Sequence, residues 1–179
     1  MAWTTPLTAV SNASLTAAQW NASVRDNLLM TAPSLATTAG SIFVTSAANT
    51  IVERVPRTDL VGGSDTVSAT AYANTTTPGP AVTAVSAAKA LIFTSGWQTN
   101  NTGGNSVYMA HEISGATTIA AADTWALEQR DSGTNGLQNA TRTHLETSLT
   151  SGSNTFTIKY RVSGGTGTVQ RRHLTVIPF

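Results

Sequence analysis

From about residue 67 onward, hydrophobic side chains recur at every second position in short runs, and each run closes on Gly, Asn, Asp or Pro. A period of two marks strands with one buried and one wet face. In Phe156-Thr157-Ile158-Lys159-Tyr160-Arg161-Val162 the apolar residues take one face while Thr, Lys and Arg take the other. Read this way, the chain predicts strands over 67–74, 81–86, 89–98, 106–114, 124–130, 138–149, 154–163 and 167–177. That succession, with turn residues between runs and no helical period, predicts a mainly β fold: an antiparallel jelly-roll β-sandwich over 67–179.

The earlier part of the chain is patterned differently. Trp20, Val24 and Leu28 fall at i, i+4 and i+8, the spacing of one helix face, which predicts a short N-terminal helix over about 16–30 in an anchor of residues 1–33. Thr16 followed three residues later by Gln19 has the form of a capping box, Leu15 before the cap can staple onto Trp20, and Pro33 disfavours continuation. So short a helix is marginal alone, so its stripe requires a partner: either the same chain's β domain or other copies of the helix. Residues 34–66 hold two apolar runs, 41–45 and 50–55, which predict a small β-hairpin; Pro56 and Gly62-Gly63-Ser64 then read as a linker.

Charged residues make up only 11% of the 179, and ten Lys and Arg against nine Asp and Glu leave a formal net charge of +1. No field of that size draws a protein onto phosphate backbone or anionic lipid, so neither nucleic acid nor a membrane is expected as a partner. Cysteine is missing from the sequence, which excludes disulfides, thiolate metal sites and cysteine nucleophiles. No apolar run reaches membrane-spanning length, and the opening MAWTTPLTAV lacks the basic and apolar parts of a signal peptide.

Sequence motifs for chemistry are few. His111, His144 and His173 stand far apart, and His111-Glu112-Ile113-Ser114-Gly115 begins like HExxH but ends in Gly, so no metal site and no cofactor are expected. Glu112, Asp123, Glu128, Asp131 and Glu146 are the acids available for a hydrolytic pair, with no local signature selecting two. No nucleophile elbow or phosphate loop occurs, and no catalytic residue is expected. Alternation places Arg171 and His173 on one strand face and Arg172 on the other. Trp97, followed by Gln98-Thr99-Asn100-Asn101-Thr102, is either a core ring before a polar loop or a glycan-contact residue.

Three segments resemble bacteriophage virion proteins, in particular minor tail and tail-fibre proteins of phages of actinobacteria. Ala2-Trp3-Thr4-Thr5-Pro6, then Leu15-Thr16-Ala17-Ala18-Gln19-Trp20-Asn21 and Arg25-Asp26-Asn27-Leu28, look like the N-terminal segment common in those proteins. Residues 39–56 are similar to a short fibre repeat, G-D-[LI]-[LIV] followed by A-N-[TA] and [RL]-[LV], with Ser41 standing where the repeat has Asp. Residues 154–162 and 172–178 look like the closing strands of trimeric tumour-necrosis-factor-like jelly-roll heads.

The resemblance implies a homotrimeric structural protein of the virion, made in the host cytoplasm. Trp20, Val24 and Leu28 would lie at its trimer or docking interface. Its implied partners are its own copies, other tail or capsid proteins, and host envelope glycan during attachment. The alternative is a capsid decoration or head-fibre protein, and a third reading is a tail-associated glycan-degrading enzyme.

Overall fold

In the computed structural model, which describes residues 5, 7–8, 10–31, 35–130 and 136–179, the chain divides after Val55 into two units. Pro33, Asp131 and most of the opening segment 1–6 lie outside the described residues.

The first unit begins with a helical stretch of three parts: α1 (Ala17–Trp20), a π-helical turn (Asn21–Arg25) and α2 (Asp26–Leu28). Its start follows from the Thr16 capping box: the Gln19 N–H donates to the Thr16 hydroxyl at 3.2 Å, and the Thr16 N–H donates to Gln19 Oε1 at 2.9 Å. In the middle the Asp26 N–H reaches the Asn21 carbonyl, five residues back, so the expected α-helix carries a π-bulge. Farther on, β1 (Ile42–Ala47) and β2 (Thr50–Arg54) pair as the expected antiparallel hairpin.

The second unit starts earlier than expected. The sequence pattern reads residues 57–66 as linker, yet β3 (Arg57–Val61) and most of β4 (Asp65–Val67) lie here and both pair with β11 (Gly167–Pro178). Pro56 and Gly62-Gly63-Ser64 punctuate the chain as a linker would, but here they bracket a short edge strand. Conversely, 68–74 make one isolated bridge, Ala73 to Tyr160, rather than the strand that their alternation suggested.

The remaining strands fall close to expectation: β5 (Ala81–Ser86), β6 (Ala90–Asn100), β7 (Ser106–Gly115), β8 (Leu127–Arg130), β9 (Gln138–Glu146) and β10 (Gly152–Val162). One sheet runs β5-β10-β7-β8; the other runs β3-β11-β6-β9, with β4 also on β11. The pairs are nested: β4 with β11, β5 with β10, β6 with β9 and β7 with β8, all antiparallel. A long hairpin folded over on itself in this way is a jelly roll.

Between the sheets, Ile92, Met109, Ile113, Phe156, Ile158, Tyr160, Leu174 and Val176 are fully buried. Burying a side chain of this size contributes about 1.5–3 kcal/mol, enough in sum to make this interior the main stabilising element. Gly79 passes so close to β10 that a Cβ there would stand 2.4 Å from the Ile158 carbonyl oxygen, so only glycine fits.

One irregularity in β11 decides which way its basic residues point. Gln170 faces Trp97 and His173 faces Ser95, so β11 carries one residue more than β6 between these points; Arg171 takes the extra position with φ 48°. Val169 points inward before the bulge and Arg172 after it, leaving Arg171 and His173 outward, as alternation suggested. The Arg172 side chain is therefore completely buried, donating from Nη1 to Thr75 Oγ1 at 2.9 Å and to the Thr77 carbonyl at 3.2 Å.

Candidate functional site

Three features could carry function: the helix stripe of the first unit, the outer sheet faces of the second, and a polar cluster inside the sandwich.

Along the helical stretch, Trp20 is 56% exposed and Leu28 61%, while Val24 is half-buried. Leu7 and Leu15 are exposed beside them, and with Gln19, Trp20, Ser23 and Val24 they line a shallow groove. The Leu7 N–H donates to Ser23 Oγ at 2.8 Å, which brings the preceding segment alongside the helix. Such concentrated apolar exposure is the pattern of a surface meant to be covered.

The two outer sheet faces differ in character. On the four-stranded sheet, Lys159 pairs with Glu112 at 3.3 Å, and Arg161 pairs with Asp123 while its guanidinium lies 3.7 Å from the Tyr108 ring centroid. The Tyr72 hydroxyl also donates to Asp123, at 2.8 Å. The hydrogen bond from Arg161 does most to hold the Asp123 carboxyl below its ordinary range, and burial and the bond to Asp123 push the Tyr72 phenol up. Here the charges are mutually neutralised and committed.

Facing outward on the other sheet are Leu91, Phe93, Ser95, Trp97 and Thr99 of β6, Asn139, Thr141, Thr143 and Leu145 of β9, and Thr168, Gln170, Arg171, His173, Thr175 and Ile177 of β11. Among these described residues Arg171 is the one Lys, Arg, Asp or Glu. Trp97 sits in this face, half-buried, with the Arg171 guanidinium 4.8 Å from its ring centroid; it is not a core residue.

Inside the sandwich, His111 of β7 meets His144 and Glu146 of β9 across the gap between sheets, with one ligand atom from each lying within 4.8 Å of the others. Position i and i+2 on a strand put His144 and Glu146 on one face, while His111 arrives from the opposite sheet. The sequence expectation of scattered histidines is thereby corrected for two of the three. His173 lies elsewhere, its Nε2 2.6 Å from Thr58 Oγ1.

Trp125, in a 3-10 turn (Asp123–Trp125), lies 5.6 Å from each imidazole ring and donates its indole N–H to the His111 carbonyl at 3.1 Å. Burial, with His144 beside it, pushes the His111 imidazole down to about 3, so it is neutral at ordinary pH. Burial would raise the Glu146 carboxyl, but bonds from the Ser148 hydroxyl and N–H and the Thr147 N–H outweigh it and hold the group low. The cluster brings two histidine rings and one carboxyl group together, a donor set suited to a borderline divalent metal.

The other candidate acids do not assemble around it. Glu112 and Asp123 are ion-paired on the outer face, Glu128 accepts from Ser106 Oγ at 2.7 Å, and Asp131 lies outside the described residues.

No family model matches the sequence, and no curated protein does. Among solved structures, Eiger TNF from S. frugiperda superposes with a TM-score of 0.46 at 9% identity, covering 70% of this chain and 92% of that one. Infectious bursal disease virus, Gx strain, gives 0.37 at 12% identity, covering 75% of this chain and 36% of the viral one. TmCBM61, solved with beta-1,4-galactotriose, gives 0.28 at 15%, covering 66% and 86%. At these values they speak to neither partner nor activity, and the jelly roll rests on the strand pairing alone. No helix among the described residues is long and apolar enough to cross a membrane.

Proposed function

We propose that the chain is a non-catalytic structural protein of a bacteriophage virion, acting as a homotrimeric tail-fibre or minor tail protein whose jelly-roll head is presented for host attachment. The observation that carries this reading is the exposed apolar surface of Trp20 and Leu28 on a helical stretch too short to persist unaided. Further copies of the same helix would cover it. The nearly uncharged outer face of the five-stranded sheet supports the same conclusion, because desolvating Thr, Leu and aromatic side chains costs less than desolvating committed ion pairs. The N-terminal segment and the Ala39–Pro56 repeat tie this self-association to phage fibres by resemblance. Trp97 lies in that same outer face of the five-stranded sheet, so it is the glycan-contact candidate only where neighbouring copies leave the face uncovered.

The decisive experiment is the solution mass of the full chain by light scattering behind a sizing column. A mass three times the 18.5 kDa of one chain is expected, and a clean monomer would overturn the trimer. Gold-labelled antibody on intact particles then tests location: label on tails is expected, whereas label on heads would replace this reading with a capsid decoration protein.

A further inference from the structure

We propose that His111, His144 and Glu146 form a binding site for one divalent transition-metal cation of the zinc class, which joins the two sheets of the sandwich. Four observations converge on it. First, His111 Nε2 is buried and has no hydrogen-bond partner, an arrangement that loses free energy unless something unseen completes it. Second, the three ligand atoms fall within 4.8 Å of one another, and His144 Nε2 is already 3.6 Å from Glu146 Oε2. Donors around a tetrahedral zinc, each about 2.0–2.2 Å from the metal, stand about 3.4 Å apart, so only a small swing of the His111 ring is needed.

Third, the Glu146 carboxylate is oriented for the task. Its Oε1 accepts from the Thr147 N–H at 2.8 Å, the Ser148 N–H at 2.8 Å and the Ser148 hydroxyl at 2.6 Å, which fixes the group and leaves Oε2 turned to His144. Fixing of this kind is what outer-sphere partners do for metal ligands. Fourth, the nearest basic side chain on the same face of β9, Arg142, is engaged elsewhere, donating to the Thr124 carbonyl at 3.2 Å.

The site has a mechanical consequence. Of the nine residues of β9, Glu146 alone is buried, so this strand is held mainly by its pairing with β6. A cation shared by His111 and by His144 and Glu146 would clip the exposed strand to β7 of the opposite sheet, a structural rather than a catalytic role.

The test uses the full chain without a histidine tag, stripped with chelator and titrated with zinc chloride by calorimetry. One zinc per chain is expected, with a melting midpoint raised by about 5–10 °C at a hundredfold excess over Kd. Cobalt(II) should quench part of the tryptophan emission, and that part should vanish in Trp125→Phe. Both His144→Gln, at a half-exposed position, and Glu146→Gln should weaken zinc binding about a hundredfold or more, while His173→Gln leaves it unchanged. Absence of saturable binding, or equal affinity in the His144 and Glu146 variants, would overturn the proposal.

Discussion

Glu53 shows how much one side chain can organise. It accepts from the Ser41 hydroxyl at 2.6 Å, the Thr38 N–H at 2.7 Å, and the Thr37 N–H and hydroxyl, tying residues 37–41 to β2. The Ser41 bond does most to hold its carboxyl at about 2 rather than the ordinary 4.5. Because the folded value lies below the unfolded one, this contribution is complete above pH 4.5 and is lost as pH falls toward 2. Amide shifts of Thr37 and Thr38, followed by NMR, should titrate with a midpoint near 2, and Glu53→Gln should flatten the curve. A midpoint near the ordinary carboxylate value would show that these bonds do not persist in solution. The same geometry favours a hydroxyl at position 41, since a carboxylate there would face Glu53 at hydrogen-bond range.

Among elements, the helix and the strands were legible to different degrees. The Thr16 cap and the strands of the sandwich were readable because capping and alternation are local physics. The π-turn at Asn21–Arg25 was not, since nothing in its five residues departs from ordinary helical composition. Strands β3 and β4 were hidden by their shortness and by the turn residues around them; 68–74 alternate like a strand, yet only Ala73 finds a bridge on β10. Trp20→Ala tests the helix as an element. The substitution should lower the assembled mass while leaving the melting of the sandwich unchanged, because an exposed residue contributes little to its own chain. An unaltered mass would move the seam away from the helix.

At the scale of the molecule, the contrast between the two sheet faces makes its own prediction. Replacing Thr141 and Thr143 together with Lys places two charges on the nearly neutral face, away from the core. The melting midpoint should hold, and the assembly should fall to single chains if that face is covered by neighbouring copies; scattering would show either result. The interior cluster was invisible in the sequence because His111 and His144 meet only through the crossing of sheets, although the i, i+2 spacing of His144 and Glu146 was a partial signal. Finally, β11 follows every other strand of the sandwich in chain order, yet it sits between β6 on one side and β3 and β4 on the other. During synthesis on the ribosome, β3 and β4 therefore emerge without a partner and β6 keeps one edge open until β11 has left the exit tunnel. Until β11 emerges the sandwich is half-built sheet with unpaired edges, the state of this fold most open to wrong association.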